Sequence, residues 1–465
     1  MSLLRILLAS DQRFALHLPV HGRGEALPPP LRRLLRQRPG RWDLPELPEI
    51  GGPLELDGAV ADSQARIAEQ MGVDRCWFGV NGATGLLQAA LMAMAAPGEA
   101  VLLPRNAHRS LIAACELGGL LPVFLPVPFH EERGHSGAMT ADGLSRSLAD
   151  LPDLGCRLAA AVLVHPTYHG YSAEIAALVD RLHAHGLPVL VDEAHGTHFA
   201  FSPELGLPPS SLTTGADFVV HSLHKSAPGL SQTAVLWQRT TRIAATAVRR
   251  SLMCLQSSSP SALLLASCEA TLDWMLSGQW RELLQQRLEN GRRLTDGLHR
   301  HGVPFHGSDD PLRLILNTAS VGVSGLEADS WFMNRGVIAE LPEPLCLTLC
   351  LGFARHRGLS ARLRHLWKQF IADQGGPALS AVEAPPFALV QVAELSPSSV
   401  PHLPSLDVPL QKSADRIAAE MICPYPPGIP LLVPGERIDQ ARVEWLQLQH
   451  QRWPEQVPGM VKVLA

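Results

Sequence analysis

Two residues carry the chemistry this sequence makes available. Asp192 ends the apolar run PVLVD, and Lys225 follows the run DFVVHS further along the chain. A lysine amine set among neutral histidines and apolar walls is readily deprotonated at neutral pH and can then attack a carbonyl carbon. A carboxylate facing a pyridinium nitrogen keeps it protonated, so that the ring draws electrons away from a substrate carbon. The pair therefore points to pyridoxal 5'-phosphate, with Lys225 as the Schiff-base lysine and Asp192 as the partner of the ring nitrogen. A third feature supports this. Asn81-Gly82-Ala83-Thr84-Gly85 follows another apolar run and opens a helix, where backbone N–H groups and a hydroxyl can hold a phosphate. Each feature alone has an ordinary counterpart: a surface lysine, a capping carboxylate, an N-capped turn. Their joint placement favours the cofactor.

The elements that must position these groups are legible from periodicity. Cys76–Val80, AVLLP (100–104), PVFLP (122–126), LAAAVLV (158–164) and PVLVD (188–192) are continuous apolar runs alternating with helical segments. Such alternation predicts a parallel sheet covered on both faces. Ligands of such sheets bind beyond the carboxyl ends of the strands. The polar groups there are His165-Pro-Thr167-Tyr168, Asp192-Glu-Ala-His195-Gly196 and His221-Ser222-Leu-His224-Lys225-Ser226. DFVVHS and QTAVLW are separated only by a loop, so part of the sheet is expected to be antiparallel. Residues 1–56 are Pro-rich and read as an arm, 57–300 as a large cofactor-binding domain, and 301–465 as a smaller α+β region. In the last, a helix is expected at 359–373, a low-complexity stretch from Gly375 to Pro404, and a final helix ending near Met421 before PYPPGIPLLVPGE.

Composition removes several classes. The 465 residues give about three domains' worth of chain at ~150 residues each, which makes a lone binding module a poor reading. The 39 Lys plus Arg nearly balance the 44 Asp plus Glu, so nothing attracts nucleic acid or anionic lipid. The uncharged run Trp77–Gly98 carries Gly, Asn and Thr in its first half and reads as a turn feeding a buried helix, not a membrane span. The N-terminal MSLLRILLASDQR is broken by Arg5 and Asp11 and does not read as a signal segment; the scattered cysteines fit reduced thiols, so a cytoplasmic location is expected. Eight cysteines show no CxxC pair; Cys346 and Cys350 lack further ligands nearby in sequence and read as small core residues, with no metal expected.

The segments VNGAT, PRNAHRS, HPTYHG, VDEAHGTHFAFSPELGLPPSSL, GADFVVHSLHKSAPGLSQTAVL and PYPPGIPLLVPGE together resemble the Orn/Lys/Arg decarboxylases among the fold-type I pyridoxal phosphate enzymes. The resemblance runs from about residue 14 to 440. It implies an α/β fold with a mostly parallel, seven-stranded-type sheet and a smaller α+β C-terminal domain. It also implies decarboxylation of arginine, lysine or ornithine to the amine and CO2, feeding polyamine synthesis, in a homodimer or higher homo-oligomer with shared active sites. Lys225 is then the Schiff-base lysine and Asp192 the pyridinium partner. Thr84, Gly85, Ser222 and His224 fall at phosphate-binding positions, His108 at the histidine that stacks on the ring, and His195 at the motif histidine near the cofactor. Lys225 or His224 would return the proton to the substrate carbon, and Thr167 and Tyr168 would line the pocket. Glu420 and Glu436 are candidates for the cationic end of the substrate. Two departures stand out: Leu18-Pro19-Val20-His21 replaces the family's Pro-Gly-His, and Ser226 replaces a threonine. The chain also leaves no room for the wing domain of larger members and resembles the short form. The alternatives are another fold-type I enzyme, an aminotransferase or lyase using Arg355 to grip the α-carboxylate, or a cofactor-binding non-catalytic homologue.

Overall fold

The computed structural model describes residues 13–38, 40–423, 430–454 and 456–465. Most of the PYPPGIP motif and the N-terminal residues 1–12 lie outside them. An eight-stranded sheet organises the molecule, in the order 391–392, 121–125, 100–104, 158–164, 189–192, 218–222, 234–238, 75–79. The five strands from 121–125 to 218–222 pair parallel. Ala234–Gln238 runs antiparallel to both of its neighbours, as its short connection requires.

The seven expected strands are all present. The eighth is the antiparallel edge Gln391–Val392, contributed by the stretch that reads as low complexity. Two residues suffice to cap Val123 and Phe124, and so few residues leave no periodicity to read.

Side chains alternate across this sheet, and the runs are apolar throughout because both faces are covered. Ala100, Leu102, Val189, Val191, Val219 and Val235 join one core, packed with Ile67, Leu178 and Leu272 from helices. Val101, Leu103, Leu190, Phe218, Val220 and Leu236 join the other, with Leu86, Leu111 and Leu252. Fully burying one such aliphatic side chain contributes about 1.5–3 kcal/mol. The strand ends are therefore rigidly held, and Asp192 and Ser222 sit on them.

Beyond Ala262–Met275 and Gly278–His299, residues 305–350 form a second, four-stranded antiparallel sheet backed by Leu359–Gln374. Residues 405–464 make a third unit, with the pair Ser405–Pro409 and Met460–Leu464 and a core of Leu432, Ile438, Leu446 and Val463. The helix expected to end near Met421 is absent. Residues 417–422 instead form isolated bridges, Ile417 with Arg437 and Ile422 with Leu432, and Asp415 takes a positive φ. The helix of this region is Gln440–Arg452. Among the described residues no helix is long and apolar enough to cross a membrane.

Candidate active site

A cavity of about 280 Å3 opens at the carboxyl ends of the parallel strands. Its lining includes Thr84, His108, Thr167, Asp192, His195, Ser222, His224 and Lys225, drawn from five separate strand-end segments. Gly85 is buried one residue behind Thr84 in the same helix turn.

Local structure explains how each arrives. Gly82 takes φ +69° at the start of the helix Gly82–Met94 and donates its N–H to the Gln232 carbonyl at 2.7 Å. The Asn81 side chain makes no cap hydrogen bond and donates to the Leu255 carbonyl instead, so this helix N-terminus faces the cavity without an internal acceptor. Gly196 is required for a different reason. A Cβ there would lie 2.6 Å from Pro166 Cδ, so the loops after Val164 and Asp192 could not close against each other. Thr197 then ties both ends of the lysine loop, its N–H donating to Ser226 Oγ at 2.9 Å and its hydroxyl to the Ser222 carbonyl at 3.0 Å. Serine thus meets the hydrogen-bonding demand at 226. On the far side the Val20 N–H donates to the His224 carbonyl at 3.2 Å, and the buried Val20 carbonyl accepts from Phe353 N–H. The Leu18–His21 segment packs the lysine loop with valine in place.

Lys225 Nζ lies 3.2 Å from His195 Nε2, and Arg313 Nη2 lies 3.3 Å from His195 Nδ1. Arg313 is always a donor, so Nδ1 accepts and Nε2 carries the hydrogen. That hydrogen points at Lys225, which can accept it only as a neutral amine. Burial, followed by Lys225 and Arg313, holds His195 well below the usual imidazole range. Burial also lowers the Lys225 amine; Asp192 and Glu340 oppose this and Arg313 reinforces it. His224 falls to about 4, from burial and then from Lys225. The pocket therefore holds neutral imidazoles around an amine poised to lose its proton.

His108 caps the helix Arg109–Gly118, its Nδ1 accepting from the Ser110 N–H at 3.2 Å. The capping role and the cavity-facing position are thus both present in one residue. Thr167 is buried in the wall, and Tyr168 packs on His195 with ring centroids 4.5 Å apart.

Two acidic residues singled out from the sequence lie elsewhere. Glu436 is buried between Arg105, at 2.7 Å, and Arg442, at 3.3 Å, and does not line the cavity. Glu420 accepts the Lys462 N–H at 2.9 Å. Arg355 is exposed and donates its backbone N–H to Glu25. The groups that act on the site from just behind its lining are Arg313, through His195, and Glu340, through Tyr168. Glu340 accepts from the Tyr168 hydroxyl and, at 2.7 Å, from the Leu18 N–H. An arginine opening the apolar strand RLIL was the available signal for Arg313; Glu340 had none, because its neighbours come from other segments.

The residues fit pyridoxal 5'-phosphate. The uncapped helix N-terminus with Thr84, together with Ser222 and His224, would hold the phosphate. Asp192 would face the ring nitrogen, His108 would lie on the ring, and Lys225 would carry it. Bound there, the cofactor supplies an electron sink for the bond being broken at the substrate carbon.

The Orn/Lys/Arg decarboxylase major-domain model matches residues 6–306, and the model for the C-terminal domain of the same family matches residues 403–464. The arginine decarboxylase of Bacillus subtilis is 29% identical over 454 residues, covering 94% of this chain and 91% of that one. Lysine decarboxylase LdcA of Pseudomonas aeruginosa is 23% identical, covering 93% and 73%. The solved lysine decarboxylase A from Pseudomonas aeruginosa superposes with a TM-score of 0.76 at 19% identity, over 96% of this chain and 82% of that one. The constitutive lysine decarboxylase of E. coli gives 0.74 at 17%, over 91% and 75%. With Lys225, Asp192 and the uncapped helix N-terminus at Thr84 already converging on one cavity, the chain belongs to the Orn/Lys/Arg decarboxylase family and is a pyridoxal phosphate-dependent amino-acid decarboxylase.

Proposed function

We propose that the chain decarboxylates arginine, releasing CO2 and the corresponding amine for polyamine synthesis. Support for arginine over lysine or ornithine comes from relatives of matching length. Arginine decarboxylases of Bacillus subtilis and Bacillus anthracis are 29% and 28% identical over more than nine-tenths of this chain, whereas the named lysine decarboxylases fall to 23% and below. The observation that carries the catalytic assignment is the chain Arg313–His195–Lys225, which hands Lys225 a hydrogen-bond donor and so favours its nucleophilic form.

In this reading Lys225 would hold the cofactor, which would supply the electron sink for the bond that breaks at the α-carbon. Lys225 or His224 returns a proton to the α-carbon. The apolar and neutral walls exclude water and leave the leaving carboxylate poorly solvated. Thr167 contributes to that wall and Glu340 supplies negative charge beside it. The cavity-lining residues Thr84 and His108 are exposed in the single chain, which supports a homodimer in which a second subunit covers the mouth. A cytoplasmic location belongs to the same proposal.

The test is CO2 release from arginine, lysine and ornithine in parallel, with transfer of the amino group to a keto acid measured alongside. Release from arginine at a kcat/KM well above the other two is expected. Amino transfer without CO2 would sink the reading in favour of an aminotransferase, and CO2 from lysine or ornithine alone would reassign the substrate. Borohydride should fix the cofactor on the peptide that contains Lys225.

A further inference from the structure

Behind the cavity wall lies a second cluster that the decarboxylation does not use. His135, Glu343 and Cys346 are each wholly buried. His135 Nδ1 lies 3.3 Å from Glu343 Oε2, Cys346 Sγ lies 3.2 Å from the same oxygen, and Sγ lies 3.6 Å from His135 Nδ1. A tetrahedral ion with bonds of about 2.0 Å to nitrogen and oxygen and about 2.3 Å to sulfur needs donors separated by about 3.3 Å for a nitrogen–oxygen pair and about 3.5 Å for a pair including sulfur. The three separations match a shared face of that tetrahedron. From sequence Cys346 has no partners beyond its own loop; the fold delivers an imidazole from 211 residues away.

We propose that His135 Nδ1, the Glu343 carboxylate and Cys346 Sγ bind a divalent transition-metal ion of the zinc class. A borderline imidazole with a soft thiolate selects zinc-like ions over magnesium or calcium, which want oxygen donors alone. The surroundings have the form that such a site needs. His135 Nε2 faces the Tyr171 hydroxyl at 2.9 Å, and that oxygen also accepts from Arg133 Nη1 at 2.8 Å. His169 Nε2 lies 3.0 and 2.9 Å from the two Glu343 oxygens and fixes the carboxylate's orientation. The His135 and His169 rings stack at 3.6 Å and 8°, so both cannot be cations, and neutral imidazole is the form that ligates. Binding exchanges the thiol proton of Cys346 for the ion, the proton leaves to solvent, and no oxidation occurs. Because His169 also lines the cofactor cavity, the ion would brace one wall of the active site from behind.

The holoenzyme, grown in zinc-supplemented medium and purified without chelator, should contain about one zinc per chain by elemental analysis. Protein grown with cobalt should show a thiolate-to-cobalt charge-transfer band in the cobalt-minus-zinc difference spectrum, where cofactor absorption cancels. Cys346→Ala and His135→Asn should lose the ion, while Cys115→Ala, a buried thiol in the opposite core, should keep it. Cofactor-loaded enzyme with only substoichiometric metal would overturn the site, and would show that protons close the cluster instead. So would metal retained in Cys346→Ala, or a cobalt form with no thiolate band. If Cys346→Ala does not fold, the wild-type cobalt spectrum alone decides. None of these readouts depends on which amino acid is decarboxylated.

Discussion

Tyr168 and His169 are sequence neighbours, and each meets a glutamate from the same short segment, yet the two pairs have opposite characters. Tyr168 donates to Glu340 at the cavity, where Glu340 remains partly exposed and adds charge beside Lys225. His169 donates to Glu343, which is sealed among His135, Cys346 and His169 and held well below the usual carboxylate range; burial opposes this, and the two histidines outweigh it. The glutamates flank Leu341–Pro342, a two-residue strand whose pairing with Leu347–Thr348 sets their separation. One carboxylate serves an open site and the other a closed one. Side-chain chemistry is identical, so solvent access and partner count assign the roles.

The sharpest way to break this contrast is at the open site. Lys225→Ala should lower decarboxylation by at least roughly 10⁴-fold, the order expected when a covalent catalytic group is removed, while leaving the thermal midpoint near that of the wild type. Loss of folding with no selective loss of rate would overturn the assignment. Second, Glu343→Gln and Glu340→Gln should separate the two carboxylates. Removing the charge at 343 leaves buried donors facing an amide and should cost about 3–5 kcal/mol in chemical denaturation, whereas the change at 340 should lower kcat/KM with stability nearly unchanged. Equal destabilisation by both would erase the distinction.

Acid should act on the open site through its histidines. The folded pKa of His224 is about 4 against 6.5 in the unfolded chain, so between those values the unfolded state binds the extra proton. The stability contributed by neutral His224 is intact above about pH 6.5 and is lost as pH falls toward 4, by at most about 3 kcal/mol. Midpoints of cofactor-free protein across this range should slope less steeply in His224→Gln than in wild type; an unchanged slope would place the acid lability elsewhere. The smallest effect is expected from Tyr168→Phe. It keeps the ring against His195 and loses the hydroxyl contact to Glu340, worth about 1 kcal/mol or a several-fold change in kcat/KM. A loss as large as that of Lys225→Ala would make the hydroxyl a proton donor in the reaction.

Glu436 shows how tertiary contacts bear on a reading from sequence. A glutamate in the PGE turn, close to the PYPPGIP motif, is chemically suited to a cationic substrate. The fold gives it two arginines, one of which, Arg105, also lies over the Phe124 and Phe387 rings at 4.3 and 4.7 Å. With its charge already matched in the interior, it holds the C-terminal unit to the large sheet. Glu436→Gln should therefore destabilise by about 3–5 kcal/mol in denaturant titrations and leave the substrate preference of the folded fraction unchanged; a change in that preference would restore the substrate role.

The amino-acid sequence by itself determined what local patterns can encode. Continuous apolar runs specify buried parallel strands, and the polar residues that end each run must gather at one edge of the sheet; that sufficed for Asp192, Lys225, His195 and Thr84. Tertiary structure alone decided the contacts that join distant segments: Arg313 on His195, Glu340 on Tyr168, and His135 and Glu343 on Cys346. A strand end has a periodicity that announces it, whereas two side chains brought together from unrelated loops leave no periodic trace, because their meeting is fixed by packing and not by spacing along the chain.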